Sequence, residues 1–294
     1  MSITANDIAK LREQTGAGMM DCKKALEEAN GDMDAAAEIL RKKGIVKAAK
    51  RGDKIAAEGL VAVKTQGNIG VVLEVNSETD FVAKNDDFKK MVDEIADFLL
   101  VKKPSSLEDA LNGTIGNITL NEFISNAVAK IGEKISFRRF AILEKGDKDV
   151  FGPYLHMGGK IAVLSMLKNT DDEALARDIS MQAAAANPKF LNREMVDVET
   201  LNKEKEIYAE QLRAQGKPEN IIENILKGKM DKFYSEVCLL EQPFIKDEEK
   251  SITAYLAGKG TDIKVETFVR YELGEGLAKK TNDFAAEVAE QMGQ

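Results

Sequence analysis

The chain contains the same run of sequence patterns twice, and this repetition constrains its fold more than any other feature. An apolar run at 69–75 follows a turn signal at 65–68, and a polar segment and an amphipathic helix pattern come after it. The apolar run at 161–167 has equivalent neighbours. Such runs joined by short turns predict β-hairpins, and the three- and four-residue apolar spacing predicts helices. We therefore predict an α+β fold with antiparallel sheets, whose core is a duplication of one structural unit.

Further helical modules are predicted outside the repeat. A capping box of Thr4 and Asp7 opens the first of three short N-terminal helix patterns, and we expect the third to end near Gly44. A later antiparallel helical hairpin turns at 216–218, and a last short helix pattern lies at 282–288. The predicted boundaries are 1–54 for the N-terminal three-helix module and its linker, 55–145 for the core N-subdomain, 146–197 for the first part of the core C-subdomain, 198–241 for the helical hairpin, 242–275 for the completion of the C-subdomain, and 276–294 for the C-terminal helical module.

Composition excludes several classes of protein. A net charge of −8 argues against a general nucleic-acid binder, because neutralising phosphates requires an excess of Lys and Arg. No apolar run approaches the roughly 20 residues that span a bilayer. Residues 1–7 lack the features of a signal peptide, and Cys22 and Cys238 lie far apart. We expect a cytoplasmic protein with no membrane partner and no direct nucleic-acid ligand.

Motifs for catalysis or cofactor binding are not found in the sequence. It has no phosphate-binding loop, no dinucleotide-binding loop and no cluster of Cys and His with metal-ligand spacing. The single histidine, His156, lies in a predicted hairpin turn without an identifiable nucleophile. A pair of carboxylates acting as acid and base stays open, although nothing singles one out. These observations favour a binding protein without a cofactor or catalytic residues of its own.

The segment 76–85 places an aromatic residue in an otherwise mostly polar connection. It joins a predicted buried strand to the helix pattern at 88–99, and we interpret it as a surface loop. Phe81 is its one large apolar residue. Either Phe81 folds back over the local core, or it is an exposed anchor for a partner beside the carboxylate of Asp80.

Four motifs resemble those of the bacterial elongation factor Ts family, the guanine-nucleotide exchange factors for the GTPase elongation factor Tu. They are residues 15–26, residues 74–83, Tyr154-Leu155-His156 and residues 283–289. Ser77 stands where the family often has Cys. The resemblance implies a three-helix, UBA-like N-terminal module, a duplicated core, an inserted helical hairpin and a C-terminal helical module.

The resemblance also implies a partner surface. Thr79, Asp80, Phe81 and Val82 would enter the G domain of elongation factor Tu near its magnesium and phosphate site. Further contacts are implied for Arg12, Met19, Met20, Lys23, His156, Asp283, Phe284 and Val288. The stoichiometry with the GTPase and the oligomeric state stay open. The alternative is a ribosome-associated or scaffold protein that binds RNA through the basic strip from Arg41 to Lys54.

Overall fold

The computed structural model describes residues 3–260 and 262–278. These residues belong to two compact units. The first comprises the described parts of Met1–Ala62, Leu73–Ala141 and Tyr271–Gln294, and the second comprises those of Val63–Val72 and Ile142–Arg270.

Three helices form the N-terminal module: α1 (Ala5–Thr15), α2 (Met19–Glu28) and α3 (Met33–Lys50). The predicted capping box is confirmed, because the Thr4 hydroxyl accepts from the Asp7 N–H and the Asp7 carboxylate accepts from the Thr4 N–H. Small and aliphatic side chains fill the thin core, namely Leu11, Cys22, Ala25, Leu26 and Ala36.

The elements that follow are β1 (Glu58–Gln66), β2 (Ile69–Ser77), α4 (Asp80–Lys84), α5 (Asp86–Lys102), α6 (Leu107–Asn112), β3 (Thr114–Ile115), β4 (Ile118–Thr119), α7 (Leu120–Ile131) and β5 (Ile135–Glu144). β1, β2 and β5 form a sheet in that order, and β3 pairs with β4 in a small antiparallel hairpin. α5 buries the apolar face that its sequence predicts, with Phe88, Met91, Val92, Ile95, Phe98 and Leu99 all buried.

The expected end of the third helix near Gly44 is wrong, since α3 continues to Lys50. Gly44 is buried where α3 packs on α7, and a Cβ at this position would lie 3.3 Å from the Cβ of Ala129. Glycine here permits a close approach of two helices rather than ending one. Tertiary packing therefore overrides the helix-stop signal.

The remaining elements are β6 (Val150–His156), β7 (Ile161–Lys168), α8 (Glu173–Ala186), α9 (Val198–Ala214), α10 (Glu219–Val237), β8 (Pro243–Phe244), β9 (Asp247–Ser251), α11 (Ile252–Ala257) and β10 (Lys264–Glu272). β6 pairs antiparallel with β7, and the sheet order is β10-β7-β6. In each three-stranded sheet the second strand of a hairpin is central, and a later strand covers its free edge. The α+β fold with a helical N-terminal module and antiparallel sheets is thus confirmed.

α9 and α10 pair as the predicted helical hairpin, and Gly216 in the turn has φ of +74°. The facing side chains form two apolar clusters along its length. One includes Leu201, Tyr208 and Phe233, and the other includes Leu212, Ile222 and Ile225. No helix in the described ranges is both long and apolar enough to cross a membrane. The predicted helix at 282–288 lies outside these ranges.

Gly228 offers a test of this hairpin, because glycine within a helix costs about 0.5–1 kcal/mol relative to alanine. Apart from the nearby backbone of its own helix and its two chain neighbours, no described atom lies within 4 Å of the place its Cβ would take. We expect Gly228→Ala to raise the free energy of unfolding by roughly that amount, about 0.5–1 kcal/mol, measured by thermal unfolding. As a contrasting control, Gly152→Ala should destabilise, since its Cβ would overlap the Ala176 carbonyl. A lower unfolding midpoint for Gly228→Ala would contradict this.

Candidate partner-binding site

The connection between β2 and α5 is a strand end followed by a short helix, so the expectation of a simple loop over 76–85 is wrong. Asn76 and Ser77 are the last residues of β2, and both are buried. β2 lies beside β1 in the sheet, and the Asn76 amide donates to the Glu58 carbonyl of β1. α4 then begins at Asp80.

Two carboxylates fix the start of α4. Glu133 accepts from the backbone N–H of Thr79 at 3.0 Å and from its hydroxyl at 2.7 Å. Glu78 accepts from the Arg51 guanidinium at 2.7 Å and from the backbone N–H of Lys134 at 2.6 Å. The residues after α3 and those between α7 and β5 therefore hold the same short turn.

The charge of Glu78 matters for this arrangement. Burial raises the pKa of Glu78, but the hydrogen bonds from the Lys134 N–H and from Arg51 outweigh it, and the pKa lies below its ordinary value of 4.5. The stabilisation from this carboxylate is therefore present above about pH 4.5 and is lost as the pH falls through the lowered pKa.

α4 buries one side and exposes a phenylalanine on the other. Val82 and Ala83 are buried, whereas 79% of Phe81 is exposed. The Lys84 ammonium lies 2.6 Å from the Asp80 carboxylate and 5.8 Å from the centre of the Phe81 ring. The Phe81 side chain does not cover the local core, which rules out the first of the two interpretations of this residue. A fixed helix thus presents an apolar ring next to a carboxylate.

Removing the Glu133 carboxylate should loosen this helix. Hydrogen bonds to charged groups contribute about 1.5–3 kcal/mol each, and Glu133→Ala removes two. We expect amide hydrogen exchange in α4 to become at least about tenfold faster, since a tenfold change corresponds to 1.4 kcal/mol. Glu108→Ala, which removes an exposed carboxylate from α6, is the control and should leave amide hydrogen exchange in α4 unchanged. Equal exchange in the wild type and Glu133→Ala would contradict the role of Glu133.

The predicted N-terminal contacts are all solvent-facing. Met19 and Met20 open α2 and are 57% and 63% exposed, and Arg12 is exposed on α1. Lys23 lies one turn further along α2, where its ammonium is 3.8 Å from the Glu27 carboxylate. Two adjacent exposed methionines suit an adaptable apolar contact.

His156 belongs to the second unit, where it is the last residue of β6 rather than part of the turn. Its Nδ1 lies 3.0 Å from the Tyr154 hydroxyl, and the two rings stack at 5.8 Å. The Arg177 guanidinium lies 5.9 Å from the Tyr154 ring centre. Leu155 and Met157 on either side of the histidine are exposed. The end of this hairpin therefore combines a held imidazole with exposed apolar side chains.

The last three predicted contacts, Asp283, Phe284 and Val288, lie outside the described residues. Within residues 3–260 and 262–278, no group of three or more His, Cys, Asp and Glu side chains could hold a metal ion.

A family model described as Elongation factor TS matches residues 78–275, which is more than half of the chain. The chain belongs to the elongation factor Ts family. The matched part begins at Glu78, so it includes α4, the α7–β5 connection and the whole helical hairpin. Elongation factor Ts proteins are nucleotide exchange factors in protein biosynthesis rather than catalysts of covalent chemistry. The family implies elongation factor Tu as partner.

In this elongation factor Ts chain, four of the seven basic residues from Arg41 to Lys54 lie near carboxylates. Carboxylates lie within 4 Å of these four basic groups: Glu122 at Arg41, Glu38 at Lys42, Glu28 at Lys43 and Glu78 at Arg51. A surface for RNA needs basic groups whose charge is not already neutralised. The RNA-binding alternative stays a prediction.

The sequence did not point to Glu133 as a residue that positions α4. It contacts Thr79 across 54 positions of sequence, and no local pattern encodes a pairing of that separation. One indirect signal exists, because Gly132 ends α7 and places the next side chain at a helix terminus.

Proposed function

We propose that this protein binds elongation factor Tu in its GDP-bound state and promotes the release of GDP, so that GTP can bind. The observation that carries the proposal is the exposed Phe81 on a helix whose start is fixed by Glu78 and Glu133. Aromatic side chains that fill a pocket dominate many interfaces. Holding such a side chain in place before binding reduces the entropy lost on association.

In this mechanism Asp80 and Phe81 enter the G domain of elongation factor Tu near its Mg²⁺ and phosphate site, and Thr79 and Val82 complete the contact. GDP in such sites is held by backbone N–H groups, a helix N-terminus and Mg²⁺. The ring displaces a neighbouring helix of the partner, and the carboxylate disturbs the ligands of the ion. Loss of the ion removes the largest positive charge opposite the phosphates, which weakens the binding of GDP.

The remaining family contacts enlarge the same interface. Arg12, Met19, Met20 and Lys23 contact the G domain from the N-terminal module, and His156 contributes from the second unit. Asp283, Phe284 and Val288 complete this set. Since the factor binds the nucleotide-free GTPase best, it lowers the affinity for nucleotide, and nucleotide lowers the affinity for the factor by the same ratio.

A stopped-flow measurement tests the proposal. Elongation factor Tu loaded with a fluorescent GDP is mixed with excess unlabelled GDP, with and without this protein. We expect the protein to accelerate release, and the acceleration to diminish as free Mg²⁺ is raised. Equal release rates with and without the protein would contradict the proposal.

A further inference from the structure

Two lysines near the end of α7 join the N-terminal module to the part of the chain that holds α4. Lys130 lies in the last turn of α7, and Lys134 lies just before the start of β5. The residues that these two lysines contact all belong to the first compact unit. Their contacts can therefore be described within one body.

The side chain of Lys130 lies between two helix ends. A Cβ at Gly16 would lie 3.2 Å from the Cδ atom of Lys130, so the lysine stem passes the turn between α1 and α2. The ammonium of Lys130 lies 2.8 Å from the carboxylate of Asp87, in the first turn of α5. α4 ends at Lys84, shortly before Asp87. Lys130 therefore connects the turn that precedes Met19 to the residues that follow α4.

Lys134 makes the corresponding connection at the start of α4. Its backbone N–H donates to the Glu78 carboxylate at 2.6 Å. Its ammonium donates to the carbonyls of Gly52 at 2.5 Å and Lys54 at 2.9 Å, in the segment that follows α3. Arg51 of the same segment donates to Glu78 at 2.7 Å. The segment after α3 and the residues before α4 therefore share one set of hydrogen bonds.

α7 is a firm base for both lysines because α3 packs along it. A Cβ at Gly44 of α3 would lie 3.3 Å from the Cβ of Ala129, and the Arg41 guanidinium lies 3.6 Å from the Glu122 carboxylate. Beyond the end of α7, Glu133 holds Thr79 at the start of α4. The N-terminal module and α4 are thus attached to α7 and to the residues directly after it.

This frame carries two exposed apolar sites, the methionine pair Met19 and Met20 on α2 and the ring of Phe81 on α4. When two sites that bind one partner are held in a fixed arrangement before binding, less entropy is lost on association. Loosening the frame would therefore weaken binding without changing either site. Such a change raises the half-saturating concentration, whereas the rate at saturation stays the same.

We propose that Lys130 and Lys134 are positioning residues, which hold the N-terminal module and α4 in one arrangement so that both meet the GTPase together. This rests on the proposed exchange function, because it concerns the same partner surface. In the proposal neither lysine contacts the GTPase. Each connection is polar and partly exposed and is modest by itself, so both ammonium groups must be removed together for a clear effect.

The first measurement uses the free protein without the GTPase. Nitroxide labels on Lys10→Cys in α1 and Val101→Cys in α5, both at exposed positions, report the distance distribution between the two helices by double electron–electron resonance. Lys130→Met together with Lys134→Met keeps the apolar stems and removes both ammonium groups. We expect this pair to broaden the distribution about twofold. Equal widths in the wild type and the pair would overturn the proposal.

Two further variants serve as controls for the distance measurement. Lys42→Met is matched to the pair in chemistry, but the Lys42 ammonium pairs at 2.8 Å with Glu38 of its own helix. It should leave the width of the distribution unchanged. Lys130→Arg together with Lys134→Arg keeps both positive charges and should keep the wild-type width. The native Cys22 and Cys238 are buried and add little background labelling.

The second measurement follows the release of fluorescent GDP from elongation factor Tu as the concentration of factor is raised. We expect the methionine pair to raise the half-saturating concentration about five- to tenfold and to leave the saturating rate within about twofold of the wild type. An unchanged half-saturating concentration would overturn the proposal.

The two measurements together separate the possible causes. A raised half-saturating concentration with an unbroadened distance distribution would overturn the proposal, because the lysines would then contact the GTPase directly. A wild type that gives no stimulation would contradict the proposed exchange function. In that case an unbroadened distribution in the free protein would still overturn the role of the two lysines in holding the module.

Discussion

Replacing Phe81 by alanine is expected to slow the stimulated release of GDP from elongation factor Tu by roughly 10- to 100-fold. In the free protein 79% of this side chain is exposed, so most of its surface is available for burial in the partner. Complete burial of a phenylalanine stabilises by about 1.5–3 kcal/mol, and each 1.4 kcal/mol at the transition state is a factor of ten in rate. Stopped-flow release at saturating factor measures the effect.

Val101→Ala is the control for this prediction. Val101 is 71% exposed on α5, in the same unit, and has no proposed contact with the GTPase. The rate of GDP release that Val101→Ala stimulates should equal the rate that the wild type stimulates. If folded Phe81→Ala stimulates GDP release from elongation factor Tu at the wild-type rate, α4 is not the element that acts on the nucleotide site.

Glu74→Gln is expected to destabilise the protein by roughly 3 kcal/mol, within the range for a buried ion pair that loses one partner. Glu74 lies in β2 and is fully buried. Its carboxylate accepts from Arg138 at 3.0 Å, from Arg139 at 2.6 Å and from the backbone N–H of Gly274 at 2.8 Å. Glutamine keeps the shape but leaves two guanidinium groups without their buried counter-charge. Urea unfolding measures the loss.

The control for Glu74 is Glu266→Gln, which removes one member of an exposed pair with Lys168. Exposed pairs contribute about 0–1 kcal/mol, so its unfolding midpoint should move little. Equal midpoints for the Glu74 and Glu266 variants would show that the buried carboxylate does not hold β2, β5 and the residues after β10 together.

Glu74 also makes the stability of the protein depend on pH. Burial raises the pKa of Glu74, but hydrogen bonds from the Gly274 N–H, Asn76, Arg139 and Arg138 outweigh it and lower the pKa below 4.5. Its stabilisation is therefore complete above about pH 4.5 and is lost as the pH falls through the lowered pKa. The stability gap between the wild type and Glu74→Gln should narrow in that acidic window, which urea titrations at stepped pH would measure.

Local patterns predicted the local structure well. The capping box at Thr4 correctly predicted the start of α1, and the turn signal at 65–68 correctly predicted the first hairpin. Each signal involves residues within a few positions of one another, where backbone geometry and hydrogen bonding are decided locally. The repeated order of strand, strand and helix likewise followed from apolar spacing alone.

The errors and omissions come from contacts between distant parts of the chain. Gly44 lies inside a helix that packs against α7, and Asn76 lies in a strand beside β1, where its amide donates to the Glu58 carbonyl. The pairing of Glu133 with Thr79 and the cluster around Glu74 join residues separated by 54 and up to 200 positions. The family resemblance pointed to Phe81, whereas the contacts that hold its helix required the structure.

We propose that Phe81 enters the G domain of elongation factor Tu beside the Mg²⁺ and phosphate site. A photoreactive benzoylphenylalanine placed at position 81 tests it directly, with irradiation in the presence of the GTPase and mass spectrometry of the linked peptides. We expect links to G-domain peptides that border the nucleotide, and we expect excess GDP and Mg²⁺ to reduce them. No link to the GTPase, or links confined to its other domains, would contradict it.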